Sequence, residues 1–130
     1  MIVYESPEAL LEWDEQKLVA VLTWQKFAFG PALRDPIEKL LDLVISKHKR
    51  GWVVDLRKIG SISKDDQEWY DKDFLPRATN QGIKRIGATI PESAIAQLSA
   101  TKYVADTEKV GIWVKYFADI DEAKEWVMKS

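Results

Sequence analysis

The chain has 130 residues, 46% apolar and 31% charged, with a formal net charge of −2. That is one domain's worth of ordinary globular sequence, too apolar for a disordered segment. With no Cys and a single His, it excludes disulfides, thiol nucleophiles, thiolate zinc sites and multi-histidine metal centres.

Ile2–Glu5 and Leu10–Trp13 read as short strands, and Leu18–Gln25 as a third, apolar on both faces and therefore covered on both. The second and third make an antiparallel hairpin across Asp14-Glu15-Gln16-Lys17. Asp35-Pro36-Ile37-Glu38 reads as a helix start, and Ile37, Leu40, Leu41, Val44, Ile45 and His48 then recur at helical spacing up to Gly51. Trp52–Leu56 is a buried strand with Asp55 near its end, followed by a loop over Arg57–Ile62. Ser63 caps a helix to about Gln81, and Pro76 inside it predicts a kink near Lys72–Pro76. Lys84–Ile90 is a strand, Ala94–Thr107 a helix with a break expected near Ser99, and Ile112–Phe117 the last strand. Asp119-Ile120-Asp121-Glu122 opens a final amphipathic helix. Strands separated by helices are parallel with right-handed crossovers. The expected fold is α/β: a mixed four- to five-stranded sheet with an N-terminal antiparallel hairpin and about four helices, in a single domain over residues 1–130.

Three segments resemble the STAS-like family of anti-sigma-factor antagonists, including the branch grouped with CRAL-TRIO-like lipid-transfer folds. They are Trp52 to Ser63, a strand, loop and helix start; Gly82-Ile83-Lys84-Arg85-Ile86 leading to Ile90-Pro91; and Tyr116 to Trp126. The resemblance implies a non-enzymatic module that regulates other proteins. It also implies a phosphorylated serine at the start of the second helix, within Asp-Ser-Ser-Gly. Here that stretch reads Ser63-Lys64-Asp65-Asp66, without the leading Asp or the Ser-Gly pair, and Lys64 or Asp65 falls where the serine would lie.

In such sheets partners meet the C-terminal ends of the strands. The candidate partner-binding residues there are Phe27, Phe29, Arg57, Ser61, Ser63 and Asp65. The bland alternative has Phe27 and Phe29 folding back onto the core, which is the commoner fate of loop aromatics in a small domain. A second function, carriage of a hydrophobic, lipid-like molecule, would use a pocket near Trp69, Phe74 and Tyr103. A third, enzymatic, would need Asp55 and Glu92 facing each other with raised pKa values. Asp55 and Arg57 read more simply as a structural pair, and Glu12, Asp14 and Glu15 as a solvated turn.

No metal or cofactor is expected; Gly30 and Gly60 are isolated and Gly87 lies within a strand, so there is no phosphate-cradling glycine loop and nucleotide binding rests on the family resemblance alone. Mixed charge with 19 basic and 21 acidic residues gives no electrostatic case for nucleic acid or an anionic membrane, and no nucleic-acid partner is expected. The longest apolar run, Leu18–Leu22, is far short of a membrane span, and the first residues lack a signal-peptide pattern, so the expected location is cytoplasmic. Exposed edge strands and surplus aromatics leave a homodimer open. Most of the six Trp read as a heavy core for a thin sheet; Trp113 faces opposite to Ile112 and Val114.

Overall fold

β1 (Ile2–Glu5), β2 (Ala9–Asp14), whose burial alternates, and β3 (Val19–Trp24) build an antiparallel meander in the computed structural model, which describes residues 1–129. β4 (Gly51–Asp55), β5 (Arg85–Thr89) and β6 (Trp113–Phe117) then add in parallel, giving one sheet in the order β1-β2-β3-β4-β5-β6. The sheet thus has six strands, not four or five. β1 is retained because Tyr4 packs on the main core, although its pairing with β2 shifts register between Ile2 and Tyr4.

Sequential strand order sorts the helices. Right-handed crossovers between neighbouring parallel strands put every connecting helix on the same face. α1 (Pro31–Ser46), α2 (Lys64–Trp69), α3 (Leu75–Asn80) and α4 (Ala94–Lys109) therefore share one face with the larger core, which includes Leu11, Leu22, Leu40, Trp52, Phe74 and Ile86. α5 (Ile120–Met128) follows the last strand and takes the other face, where Ala123 and Val127 meet Val19, Val21 and Val53. Here the glycine in β5 has a purpose. A Cβ on Gly87 would lie 3.2 Å from both Ala123 and Val127 side chains, so its absence sets how closely α5 approaches. β3 is apolar on both faces as expected, with Ala20, Leu22 and Trp24 in one core and Val19 and Val21 in the other.

Several local expectations are corrected. α1 begins at Pro31, a turn before Asp35, because Gly30 adopts φ 60 and offers its carbonyl to the N–H groups of Leu33 and Arg34. Pro36 accordingly lies inside the helix. α1 also ends at Ser46, so His48 is not on its apolar stripe. His48 has φ 57, its N–H reaches the Ile45 carbonyl at 3.0 Å, and the Lys49 N–H reaches Val44 at 3.0 Å. That is a Schellman C-cap with histidine in the left-handed place usually held by glycine. Leu18 is outside β3, in the turn, with φ 55 and an N–H bonded to Asp14.

The kink expected before Pro76 is instead a π-helical turn over Tyr70–Phe74, which joins α2 to α3. The Leu75 N–H bonds five residues back to Tyr70, and Pro76 follows near the start of α3. With α2, the π turn and α3 as one body, four helical bodies pack on the sheet. α4 is unbroken at Ser99, whose Oγ accepts from the Ile62 N–H at 3.2 Å.

Candidate functional site

The C-terminal ends of β3, β4 and β5 release three loops on one end of the sheet. Each loop is anchored by a carboxylate or a hydroxyl drawn from elsewhere. Asp55 closes β4, buried, and accepts from Arg57 Nη2 at 2.7 Å, Arg57 Nε at 3.0 Å and Thr89 Oγ1 at 2.8 Å. Thr89 on β5 in turn accepts from the Leu56 N–H at 3.0 Å. Burial pushes the Asp55 carboxyl up, but the hydrogen bonds from Arg57 and Thr89 outweigh it and hold the group below its ordinary value. Glu92 is exposed, and its N–H donates to the Arg57 carbonyl at 2.9 Å. The enzymatic expectation required Asp55 to be raised and free; it is lowered and tied to Arg57.

The second anchor is Asp66, 1% exposed. It accepts from the Gly30 N–H at 2.9 Å, Arg34 Nε at 2.8 Å and Ser63 Oγ at 2.8 Å, while Ser63 Oγ accepts from the Asp66 N–H at 3.2 Å. One carboxylate thus joins the start of α1 to the start of α2. Desolvation opposes its charge, and these three donors overcome that, so its carboxyl also lies below the ordinary value. Sequence reasoning singled out Asp65, which is exposed in the first turn of α2. Asp66 is the residue in the network, and the Ser-x-x-Asp spacing of a capping box was the available signal.

The loop aromatics stay out. Phe27 is 49% exposed and Phe29 64%, with ring centroids 5.8 Å apart, while Ala28 between them is buried. The fold-back alternative therefore fails, because Ala28 turns inward and leaves its two neighbours outward. Phe27 rests on Gly60: a Cβ there would lie 2.8 Å from the Phe27 ring. From the other side, α4 pins the same loop through Ser99 and Ile62, and exposes Ile95 and Leu98. Two exposed apolar groups, Phe27 with Phe29 and Ile95 with Leu98, therefore flank the loop that carries Arg57 and Ser61. Ser61 is exposed, Ser63 is committed to its cap, and Arg57 to Asp55. Lys26, Lys58 and Lys64 around them are exposed, with Asp65 and Glu92 as the nearby acids.

Beneath the loops lies an apolar cavity of about 40 Å³, lined by Leu22, Trp52, Ile62, Tyr70, Phe74 and Tyr103 among others. It sits where the hydrophobic-ligand expectation placed a pocket, but Trp69 is not part of its wall. Trp69 packs on Phe74 at 5.6 Å and under the Arg34 guanidinium at 5.4 Å. The Tyr70 and Tyr103 rings meet at a tilt of 33° with centroids 4.6 Å apart, and the Tyr70 hydroxyl meets Thr107 Oγ1 at 3.0 Å. Burial pushes the Tyr103 hydroxyl up to about 12 and Tyr70 well above its ordinary value, so both are neutral. Among the described residues no buried side-chain polar atom lacks a partner, and no three acidic or histidine groups gather as a metal site. No helix there is long and apolar enough to cross a membrane.

No family model matches the chain, and no curated protein does. Among solved structures it is similar to an uncharacterised protein from Shewanella loihica PV-4, of the DUF3478 family with a SpoIIAA-like fold. The identity is 11% and the TM-score 0.63, over 96% of this chain and 98% of that one. At that identity the likeness speaks to fold: the chain has the SpoIIAA-like, STAS-like fold that its strand–loop–helix segments resemble.

Proposed function

We propose that the chain is a non-enzymatic protein-binding module that docks a partner at the C-terminal ends of its strands. The observation that carries this is the exposure of Phe27 and Phe29 above a pinned loop, mirrored by Ile95 and Leu98 on α4. Isolated exposed apolar residues are ordinary, but four of them around one rigid loop match the aromatic and aliphatic anchors of an interface. The exposed ammonium groups of Lys26, Lys58 and Lys64 suit a partner whose apolar anchors are flanked by carboxylates. The buried carboxylates at this end are bound up in Asp55–Arg57 and Asp66–Arg34, which suits positioning and not proton transfer.

A photo-crosslinking residue at position 29 and another at 98, in cells that make the protein, test this. The expected result is one and the same protein captured from both positions, lost with Phe27→Ser, and absent from a crosslinker at Lys129. Capture of unrelated proteins, or equal capture at Lys129, overturns it.

The apolar cavity favours a second, narrower reading: a small apolar ligand held under the π turn. At about 40 Å³ it is well below the roughly 150 Å³ that holds a benzene ring, so a lipid chain would require α2 and the π turn to move away from α4. Chemical shifts of Tyr70 and Tyr103 unchanged by saturating benzene or a fatty acid would remove this reading.

A further inference from the structure

The six Trp divide unevenly. Trp13, Trp24 and Trp52 are buried, Trp69 and Trp126 half-buried, and Trp113 is 65% exposed. Trp113 stands at the N-terminal end of β6, on the opposite end of the sheet from the loops described above. Its neighbours are cations. The Lys84 N–H reaches the Arg50 carbonyl at 2.7 Å, and the Trp113 N–H reaches the Lys84 carbonyl at 2.8 Å, so the backbone sets Arg50, Lys84 and Trp113 side by side.

Arg85 completes the group. Its guanidinium lies 4.9 Å from the Trp126 ring and 5.9 Å from Trp113, and Nη1 donates to the Trp126 carbonyl at 2.8 Å. Arg85 is therefore immobilised behind the exposed indole, while Arg50 and Lys84 are exposed and have no carboxylate partner among the described residues. Arg50, Lys84, Arg85, Gly111 and Trp113 line an open concavity of about 270 Å³ that contains no acidic side chain. Arg50 also borders a second concavity, of about 220 Å³, with Lys17, His48 and Lys49.

Cations near helix C-termini often serve only the helix dipole, whose effect fades within the last turn. Arg50 and Lys84 each come four residues after the helix preceding them, which ends at Ser46 and Asn80. That role also gives no reason for an exposed indole.

We infer that this concavity binds a nucleotide unit, its base stacked on Trp113 and its phosphate held by Arg50 and Lys84. Aromatic faces beside free cations are what single-stranded nucleic acids and nucleotides use, the ring taking the base and the cations the phosphate. The net charge of −2 does not reveal the site, because it sums over the whole chain.

The test is titration of the isotope-labelled protein, reading the Trp113 indole N–H resonance, with AMP, with a ten-residue oligothymidylate, with inorganic phosphate and with polyglutamate. The expected result is a saturable shift with AMP or the oligonucleotide, weakened at least tenfold in Trp113→Ala and in Arg50→Ala/Lys84→Ala, and weakened by added salt. Saturation by AMP as readily as by the oligomer identifies a free nucleotide; response to the oligomer alone identifies a single strand. No shift with either overturns the inference. So does an equal response to inorganic phosphate or polyglutamate, or affinity that survives Trp113→Ala.

Discussion

The two ends of the sheet are built on opposite plans. At the C-terminal end the buried carboxylates are spent on architecture: Asp55 and Asp66 are saturated with donors, and the apolar Phe27, Phe29, Ile95 and Leu98 stand exposed among Lys26, Lys58 and Lys64. At the N-terminal end one concavity is lined by cations and an exposed indole, and Arg50 and Lys84 have no charged partner among the described residues. A carboxylate that organises loops cannot also serve as a free acid or base, whereas an unpaired cation is held in place by little and is available to a ligand. The contrast predicts where stability is sensitive and where it is not.

Its sharpest test is Asp66→Ala. The substitution strands the Gly30 N–H and the Ser63 hydroxyl, and leaves Arg34 without its carboxylate. Arg34 is partly exposed, so water recovers some of the loss, and the expected destabilisation is about 3 kcal/mol. Arg50→Ala at the other end should change stability by less than about 0.5 kcal/mol. Urea denaturation of both variants measures the difference; equal effects would erase the contrast.

Acid reaches paired carboxylates at both ends, Asp55 and Asp66 at one and Asp14 at the other. Asp55 and Asp66 lie below the ordinary value, and Asp14 is drawn from 3.8 to about 2, chiefly by the Lys17 backbone N–H and then by Lys124. A carboxylate lowered by folding stabilises fully above its unfolded value and loses that contribution as pH falls through the folded one. The urea midpoint should therefore be flat near neutrality and fall from about pH 4 towards pH 2. In Asp66→Asn that fall should be shallower, and a curve of unchanged steepness would show that Asp66 is not part of it.

Much of this arrangement was legible in the sequence. The six strands, α4 and α5 were read from sequence pattern and capping residues, β1 with the bounds observed. What was not legible depends on contacts distant in sequence. The start of α1 at Pro31 needs Gly30 held by Asp66, 36 residues away, and the π turn depends on how Tyr70 and Phe74 pack. At the candidate site, Arg57 and Ser63 were placed correctly at the strand end, yet both are committed to structural bonds. The outward turn of Phe27 and Phe29 depends on Ala28 and on Gly60, which no pattern within the loop reveals.

Gly60→Ala probes that last dependence. The new methyl group would press on the Phe27 ring and Cβ, at 2.8 and 3.0 Å, so the phenylalanine must swing aside. An exposed ring can move, and the expected cost is about 1 kcal/mol. The more informative readout is the shape of the docking end: Phe27 and Phe29 resonances should shift while those of Trp113 stay fixed. Movement at both ends would mean that the sheet couples them.

The smallest effect is a gain. His48 occupies the left-handed residue of the α1 cap, where a side chain is strained by about 1 kcal/mol or more. Glycine would relieve that strain but also gain freedom in the unfolded chain, which offsets part of the benefit. His48→Gly should therefore stabilise the protein by about 0.5 kcal/mol in urea denaturation, and His48→Ala, which keeps the Cβ, should not. A loss in the glycine variant would mean that the imidazole holds something the strain argument omits. Since His48 borders the concavity next to Arg50, its stabilising contact would then lie at the cationic end, and that end would be less free than the comparison requires.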